Sequence, residues 1–223
     1  SLELLEQGTK AVQRKFLSPN LKISTFSTMA TNVILPQLGL FQTAHPEIGI
    51  RIETGLDITD FRYEDFDIAI RIGNGDWQNV AQKKLFDINI AALCSKSFAE
   101  KHQLTSVEQI NDVPLIDLTN MDNIWQTWAD ATGIKKVNFN HNLTFNNYES
   151  SLHAAEQGLG LCLALMPIES SLVNRNILVN PFNCTIPFGR SLYAVYREED
   201  KERHDIKCFL NWLVKSPNLI ETT

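Results

Sequence analysis

No stretch of the 223 residues approaches the ~18 consecutive apolar residues that a membrane-spanning helix needs. The opening, SLELLEQGTK, lacks the basic start and apolar core of a secretory signal, so export is not expected. The four cysteines, at 94, 162, 184 and 208, contain no CxxC pair and no histidine at zinc-like spacing. They are expected to be reduced, mostly buried thiols in a cytoplasmic protein, with no metal and no cofactor. Positive charge is also scarce: the net charge is −6. Phosphate neutralisation dominates nucleic-acid affinity, so any DNA contact would have to come from residues outside this sequence. GxSxG, a P-loop, HExxH and GxGxxG are all missing, which removes the commonest hydrolase, nucleotide and zinc-protease readings. There is no Pro/Gly/Ser-rich linker, no low-complexity segment and no internal repeat.

What is present suits an α/β protein, either one large domain or two small ones. In residues 1–16, Leu2, Leu5, Thr9, Val12 and Phe16 follow heptad spacing. Two heptads fit a coiled-coil end and an amphipathic helix packed on its own domain equally well. Ser18-Pro19-Asn20 stops the helix. LKISTF (21–26), a helix over 27–46 and the alternating IGIRIETG (48–55) then predict a βαβ unit with parallel strands. A short helix is expected at 59–66, strands at 67–72 and within 79–95, and helical pieces over 95–113. From 114 the pattern restarts: PLIDL, a helix at 122–133, a strand at 137–146, a helix at 147–158 and a buried strand at 159–167 form a second such unit. RSLYAVY (190–196) and a helix over 201–216 close the chain. Two βαβ units about 120 residues apart predict two lobes, with crossings near 95 and 190.

The helix at 27–46 carries two apolar stripes, Ala30, Ile34, Leu38 and Phe41, and Met29, Val33, Leu40 and Ala44. An arc of roughly 180° is wider than the ~100° one core needs. Either a second subunit covers the second stripe or another part of the same chain does.

In each βαβ unit polar residues open a helix at a strand's end: Ser27 and Thr28 in the first, Asn146 and Asn147 in the second. Capping accounts for such residues. A helix N-terminus also offers free N–H groups to an anion, and open α/β sheets bind ligands at the carboxyl ends of their strands. The segment DIAIRIGNGDW (67–77) places Arg71 near such an end. Arg71 there either snorkels at a sheet edge or supplies a fixed cation for a carboxylate, with Gly73 and Gly75 letting backbone approach. Glu149, His153 and Glu156 share one helical face, which reads as a solvated surface more than a metal site. No acid–base pair can be named from the sequence. Buried carboxylates with shifted pKa values in the cleft would point to an enzyme.

LKISTFSTMATNVILPQLGLFQTAHPEIGIRIETG, DFDIAIRIGNGDWQNVAQKKLFD and AAEQGLGLCLALMP together resemble the effector-binding domain of LysR-type transcriptional regulators. The subgroup they are most similar to includes the glycine-cleavage activator, and the likeness runs over about residues 1 to 216. It implies a two-lobed, type 2 periplasmic-binding-protein-like α/β fold, each lobe a mixed sheet flanked by helices. Residues 1–17 would be the end of a linker helix, 18–94 plus 190–223 lobe I, and 95–189 lobe II. The implied protein is cytoplasmic and not an enzyme. It binds a small polar or anionic effector between the lobes and assembles as a dimer or tetramer. It reaches DNA only through an N-terminal winged helix-turn-helix outside this sequence, and it has no membrane partner. By position, the ligand-binding candidates are Ser27, Thr28, Met29, Gly55, Leu56, Asp57 and Arg71 in the first lobe, and Asn146, Asn147, Tyr148 and Leu165 in the second. Leu56 stands where other members often place Thr or Ser, which weakens that turn as an anion site. The subunit interface is expected at Met29, Val33, Leu40 and Ala44. The rival reading is a solute-binding protein of a transport system, which would share the lobes and the cleft.

Overall fold

The computed structural model describes residues 20–55, 66–121, 123–135 and 140–215. The expected linker helix over 1–17 and the short helix at 59–66 lie outside the described residues, apart from Phe66.

Strand β1 (Asn20–Thr25) leads into one long helical segment. It starts at Ser27, widens into a π-helical stretch at Met29–Ile34, and continues as α1 (Leu35–Ala44). Strand β2 (Gly49–Thr54) returns parallel to β1, with Leu21 opposite Ile50 and Ile23 opposite Ile52, so the first βαβ unit forms as its alternation predicts. Strand β3 (Ile68–Gly73) flanks β1 on the other side, also parallel. Two long strands follow, β4 (Ala81–Leu93) and, near the end of the chain, β8 (Thr185–Tyr196), paired antiparallel. The six-stranded sheet runs β2-β1-β3-β8-β4-β7, where β7 is Cys162–Met166.

Between β4 and β7 lie α2 (Lys96–His102), a 3-10 turn at Val107–Asp112, β5 (Leu115–Leu118), α3 (Ile124–Ala131), β6 (His141–Phe145) and α4 (Tyr148–Glu156). β5 and β6 pair in parallel, and a single bridge from Leu115 to Leu161 attaches them beside β7. After β7 come α5 (Ser170–Asn174) and then β8; the last helix is α6 (His204–Leu213).

Buried side chains divide into clusters that follow the two units. One gathers Leu21, Ile23, Met29, Val33, Phe41, Ile68, Ile70 and the α6 residues Ile206, Phe209 and Leu213. The other two lie on either side of the second unit. Ile90, Leu115, Trp125, Trp128 and Leu163 form one, and Ala91, Leu93, Leu152, Ala155 and Cys162 form the other. The period of two along β4 explains the split. Ile90 and Ala92 face one cluster and Ala91 and Leu93 the other, whereas Ile88, earlier on the strand, joins the first unit's core. β4 and β8 therefore pass from one core to the other in mid-strand, and their register slips between Asp87 and Asn89.

Asp67, just before β3, is almost fully buried. It accepts from Lys22 N at 2.9 Å and from Arg203 Nη1 at 2.6 Å, which ties the start of α6 to β1 and β3. A buried carboxylate needs such partners, because an unpaired one would cost several kcal/mol.

Candidate functional site

β1 ends in two buried polar residues, Ser24 and Thr25, and the next helix opens with Ser27 and Thr28. Gly55, just past the end of β2, donates its N–H to the Thr25 carbonyl at 2.9 Å, so the two strand ends close together. β3 lies on the other side of β1, with Ala69 opposite Ser24. Arg71 is two residues on, hence on the same face of the pleat. Its Nη2 donates to Ser24 Oγ at 2.6 Å and its Nη1 to the Ile70 carbonyl at 2.9 Å. The guanidinium is half-buried at the carboxyl end of the sheet, not snorkelling outward.

The glycines after Arg71 have a different task from the one expected. A side chain at Gly73 would put its Cβ 2.5 Å from the Trp77 ring, and one at Gly75 would lie 2.7 Å from the Tyr193 hydroxyl. Gly75 also has φ +80°, a left-handed conformation that glycine adopts without strain. Trp77 and Tyr193 pack edge to face with ring centroids 5.4 Å apart. The glycines therefore make room for two aromatic rings of this chain.

On the facing side, Asn147 caps α4 by accepting from Ser150 N at 2.9 Å. Capping is its role here, and Asn146 beside it is exposed. The next two residues reach inward. The Tyr148 hydroxyl accepts from Leu165 N at 2.8 Å. Tyr148 and Leu165 help line a small apolar cavity of about 10 Å³ with Ile116, Met121 and Trp125, roughly the room for one water. Glu149 Oε2 accepts from Ser27 Oγ at 2.7 Å, which joins the two units directly. Beside this bond a second, more open pocket of about 50 Å³ is lined by Thr28, Asn32, Glu149, His153 and Glu156.

A residue that sequence reasoning missed completes the seam. Glu169 follows β7 and is fully buried. Its Oε2 accepts from Asn32 Nδ2 at 2.5 Å, a second link between the units. Burial pushes its pKa up to about 7, while Thr28, Asn32 and Tyr148 pull it back by favouring the ionised form and Glu149 adds to the rise. The Thr28 hydroxyl stands close enough to act on the carboxyl, yet the pair does not close a hydrogen bond. Thr28 Oγ1 and Glu169 Oε1 are both buried without a partner of acceptable geometry. The Tyr148 hydroxyl is pushed well up, first by burial and then by the charge of Glu169. Nothing in IESSLV distinguishes this glutamate from a surface one, because only the fold turns it inward.

Of the expected site residues, the structure thus brings Ser27, Thr28, Tyr148 and Leu165 to one seam and places Arg71 and Gly55 around the end of β1. Asn146 and Asn147 stand at its rim. Leu56 and Asp57 lie outside the described residues. Met29 is fully buried in the first unit's core, and so is Val33, so neither side chain is available to a ligand or to a second subunit. Both share a buried cluster with Leu165 and Ile168 of the second unit, so another part of the same chain covers this end of the helix. Leu40 and Ala44, beyond the π-helical stretch, are exposed in the single chain, and Leu35 is exposed beside them. Glu149, His153 and Glu156 do not converge on a cation: Glu149 turns to Ser27, while His153 Nδ1 meets Glu156 Oε2 at 3.1 Å.

All four cysteines are free; Cys94 and Cys162 are buried, Cys184 and Cys208 half-buried. Among the described residues no helix is long and apolar enough to cross a membrane.

The LysR substrate binding domain family matches residues 15–217. The chain is 27% identical over 212 residues to the glycine cleavage system transcriptional activator of Escherichia coli (strain K12), a match spanning 94% of this chain and 69% of that protein. It is 28% identical over 207 residues to the HTH-type transcriptional activator AmpR of Citrobacter freundii, covering 92% and 68% of the two. Among solved structures, the AmpR effector binding domain from Citrobacter freundii matches with a TM-score of 0.76 at 26% identity, covering 88% of this chain and 97% of that one. The effector domain of AmpR of Pseudomonas aeruginosa gives 0.74 at 26% identity, covering 87% and 93%. These matches agree with the mixed-sheet α/β fold, and they do not favour the transport reading. The chain belongs to the LysR substrate-binding domain family and is the effector-binding domain of a LysR-type transcriptional regulator.

Proposed function

We propose that this domain senses a small polar or anionic molecule between its two lobes, at the carboxyl ends of β1 and β3. The observation that carries the reading is the seam itself. Ser27–Glu149 and Asn32–Glu169 tie the lobes together beside buried polar groups at the strand ends, and Arg71 supplies the cation. A carboxylate ligand would compete for the Arg71 donors that now serve Ser24 and the Ile70 carbonyl. Residues 18–94 plus 190–223 would form lobe I and residues 95–189 lobe II; the buried clusters support two units, with β4 changing core after Ile88 and not at its end. β4 and β8 would be the hinge strands. A ligand that binds one lobe arrangement better than another shifts the population toward it, by no more than its difference in affinity. The altered lobe angle would re-space DNA-binding heads outside this chain.

Self-association belongs to the same proposal. Leu35, at 53% exposure, and Leu40, at 71%, leave an apolar strip on the outer face of α1, extended by Ala44. Leu159, half exposed in the second lobe, offers a matching apolar point. A two-fold pair would set the α1 face of each copy against the second lobe of the other and bury both twice. The free cysteines and the regulator relatives support a cytoplasmic location and a non-enzymatic role.

Glu169 does meet the criterion of a buried carboxylate with a shifted pKa. Its neighbours include Asn32, which joins the lobes, and the buried hydroxyls of Thr28 and Tyr148, a setting that fits a structural latch better than a catalytic acid.

The test is to titrate the domain with small carboxylic acids and amino acids and to follow backbone amide resonances. A bound effector should perturb Thr25, Thr28, Arg71, Tyr148 and Leu165 together. Perturbation confined to other surfaces overturns the reading.

A further inference from the structure

A second cluster of ligating side chains lies away from the seam, where the end of α1 meets α6. His204 and Cys208 are one turn apart on α6 and so share a face. Cys208 Sγ is 3.4 Å from His204 Nε2. His45 follows the last residue of α1 and is brought to the same place by aromatic packing. The Phe41 ring stands 5.8 Å from that of Phe209 and 5.2 Å from that of Trp212, both on α6, and 5.0 Å from His45. One nitrogen or sulfur atom from each of His45, His204 and Cys208 lies within 4.8 Å of the others. Among the described residues this is the only such set. It escaped the sequence reading because His45 is 159 positions from His204, and because His204-x3-Cys208 alone is weak.

We propose that His45, His204 and Cys208 form a binding site for a zinc-like divalent transition metal ion. Zinc takes nitrogen at about 2.0–2.1 Å and thiolate at about 2.3 Å, which sets tetrahedral donors roughly 3.3–3.8 Å apart. The present spacing of up to 4.8 Å is about 1 Å wider than that range, so the three side chains would have to draw together around the ion. The donor set of two imidazoles and one thiolate suits zinc far better than magnesium or calcium, which take oxygen. Glu47 Oε1 stands 3.6 Å from His45 Nδ1, so a carboxylate is at hand for a fourth position or to orient the imidazole. Glu47 and Asp205 place negative charge near Cys208, which favours a cation there, and binding a thiolate-ligated metal releases the thiol proton. His45 and Cys208 are half-buried and His204 is exposed, so an ion can enter. Bound metal would fasten the end of α1, beside the exposed Leu40 and Ala44, to the α6 surface.

The experiment uses the purified chain and Co²⁺ as a spectroscopic probe, with Zn²⁺ as competitor. Expected are tetrahedral ligand-field bands and a thiolate-to-cobalt absorption. The latter should vanish in Cys208→Ser, and the zinc affinity should fall roughly tenfold or more in His204→Ala. A spectrum and zinc affinity unchanged in the double variant overturn the proposal. A second reading needs no variant. Zn²⁺ should slow alkylation of Cys208 in the wild-type chain, mapped by peptide mass, while leaving Cys184 unchanged. Equal alkylation of Cys208 with and without zinc also overturns it.

Discussion

Replacing Glu169 by glutamine isolates the energetics of the seam. The carboxyl is fully buried, and its pKa is pushed from 4.5 up to about 7, chiefly by that burial. Below about pH 4.5 the folded and unfolded chains both hold the proton. Between about 4.5 and 7 the unfolded chain gives it up while the folded one keeps it, so unfolding releases a proton and becomes easier as pH rises. Above about 7 both are ionised and the effect levels off. The gap between 4.5 and about 7 corresponds to on the order of 3 kcal/mol of stability lost across that window. The amide of the Glu169→Gln variant has no proton to lose. It keeps an oxygen for Asn32 Nδ2 and brings an N–H₂ toward the Thr28 hydroxyl, which is buried without a partner. The assay is urea unfolding of both proteins at a series of pH values from about 4.5 to about 8. Subtracting the two curves cancels every group too distant to couple with Glu169. The variant should gain on the wild type by up to on the order of 3 kcal/mol as pH rises from about 4.5 to 7, and no further above that. A difference independent of pH would refute the argument, because it would mean that Glu169 titrates alike in the folded and unfolded chains.

Two other substitutions probe the rest of the account. Arg71→Ala should weaken binding of a carboxylate effector by roughly tenfold or more, since a hydrogen bond to a charged group is worth about 1.5–3 kcal/mol, with the fold intact by circular dichroism. Equal calorimetric affinity in mutant and wild type would remove Arg71 from the site. Leu40→Asp changes a side chain that is 71% exposed in the single chain, so stability should move by no more than about 0.5 kcal/mol. If α1 forms the subunit interface, sedimentation should show the dimer weakened at least tenfold, because two Leu side chains of about 2 kcal/mol each leave the contact. An unchanged dimer constant would place the interface elsewhere.

How far the sequence can be read follows from what periodicity encodes. Period two in IGIRIETG and the apolar run at 68–72 put β2 and β3 where they are found, and the Gly158 stop closes α4 near its observed end at Glu156. Periodicity fails inside the first long helix. Six π-helical residues break the 100° step, and Met29 and Val33 are core because they share a buried cluster with Leu165 and Ile168 of the second unit, which no local period encodes. Local capping chemistry is legible at Asn147, whose partner is three residues away. Glu169 is not, because its meaning comes from Asn32, 137 positions earlier. Gly73 and Gly75 are legible as points of close approach, but their neighbours Trp77 and Tyr193 are a tertiary fact. Residues that act through nearby chain are readable from local pattern; those that act across the seam are reached only by their place at a strand end or by the family resemblance, as Ser27 is, and Glu169 not at all.

The central claim is that an effector sits between the lobes at the ends of β1 and β3. Residue-resolved titration tests it most directly. Backbone amide resonances are assigned in the free domain and followed as small carboxylic acids and amino acids are added. The account predicts that a ligand that binds will shift Thr25, Thr28 and Arg71 from one lobe and Tyr148 and Leu165 from the other, along one saturation curve. A ligand that saturates the domain while those five residues stay unmoved would contradict it.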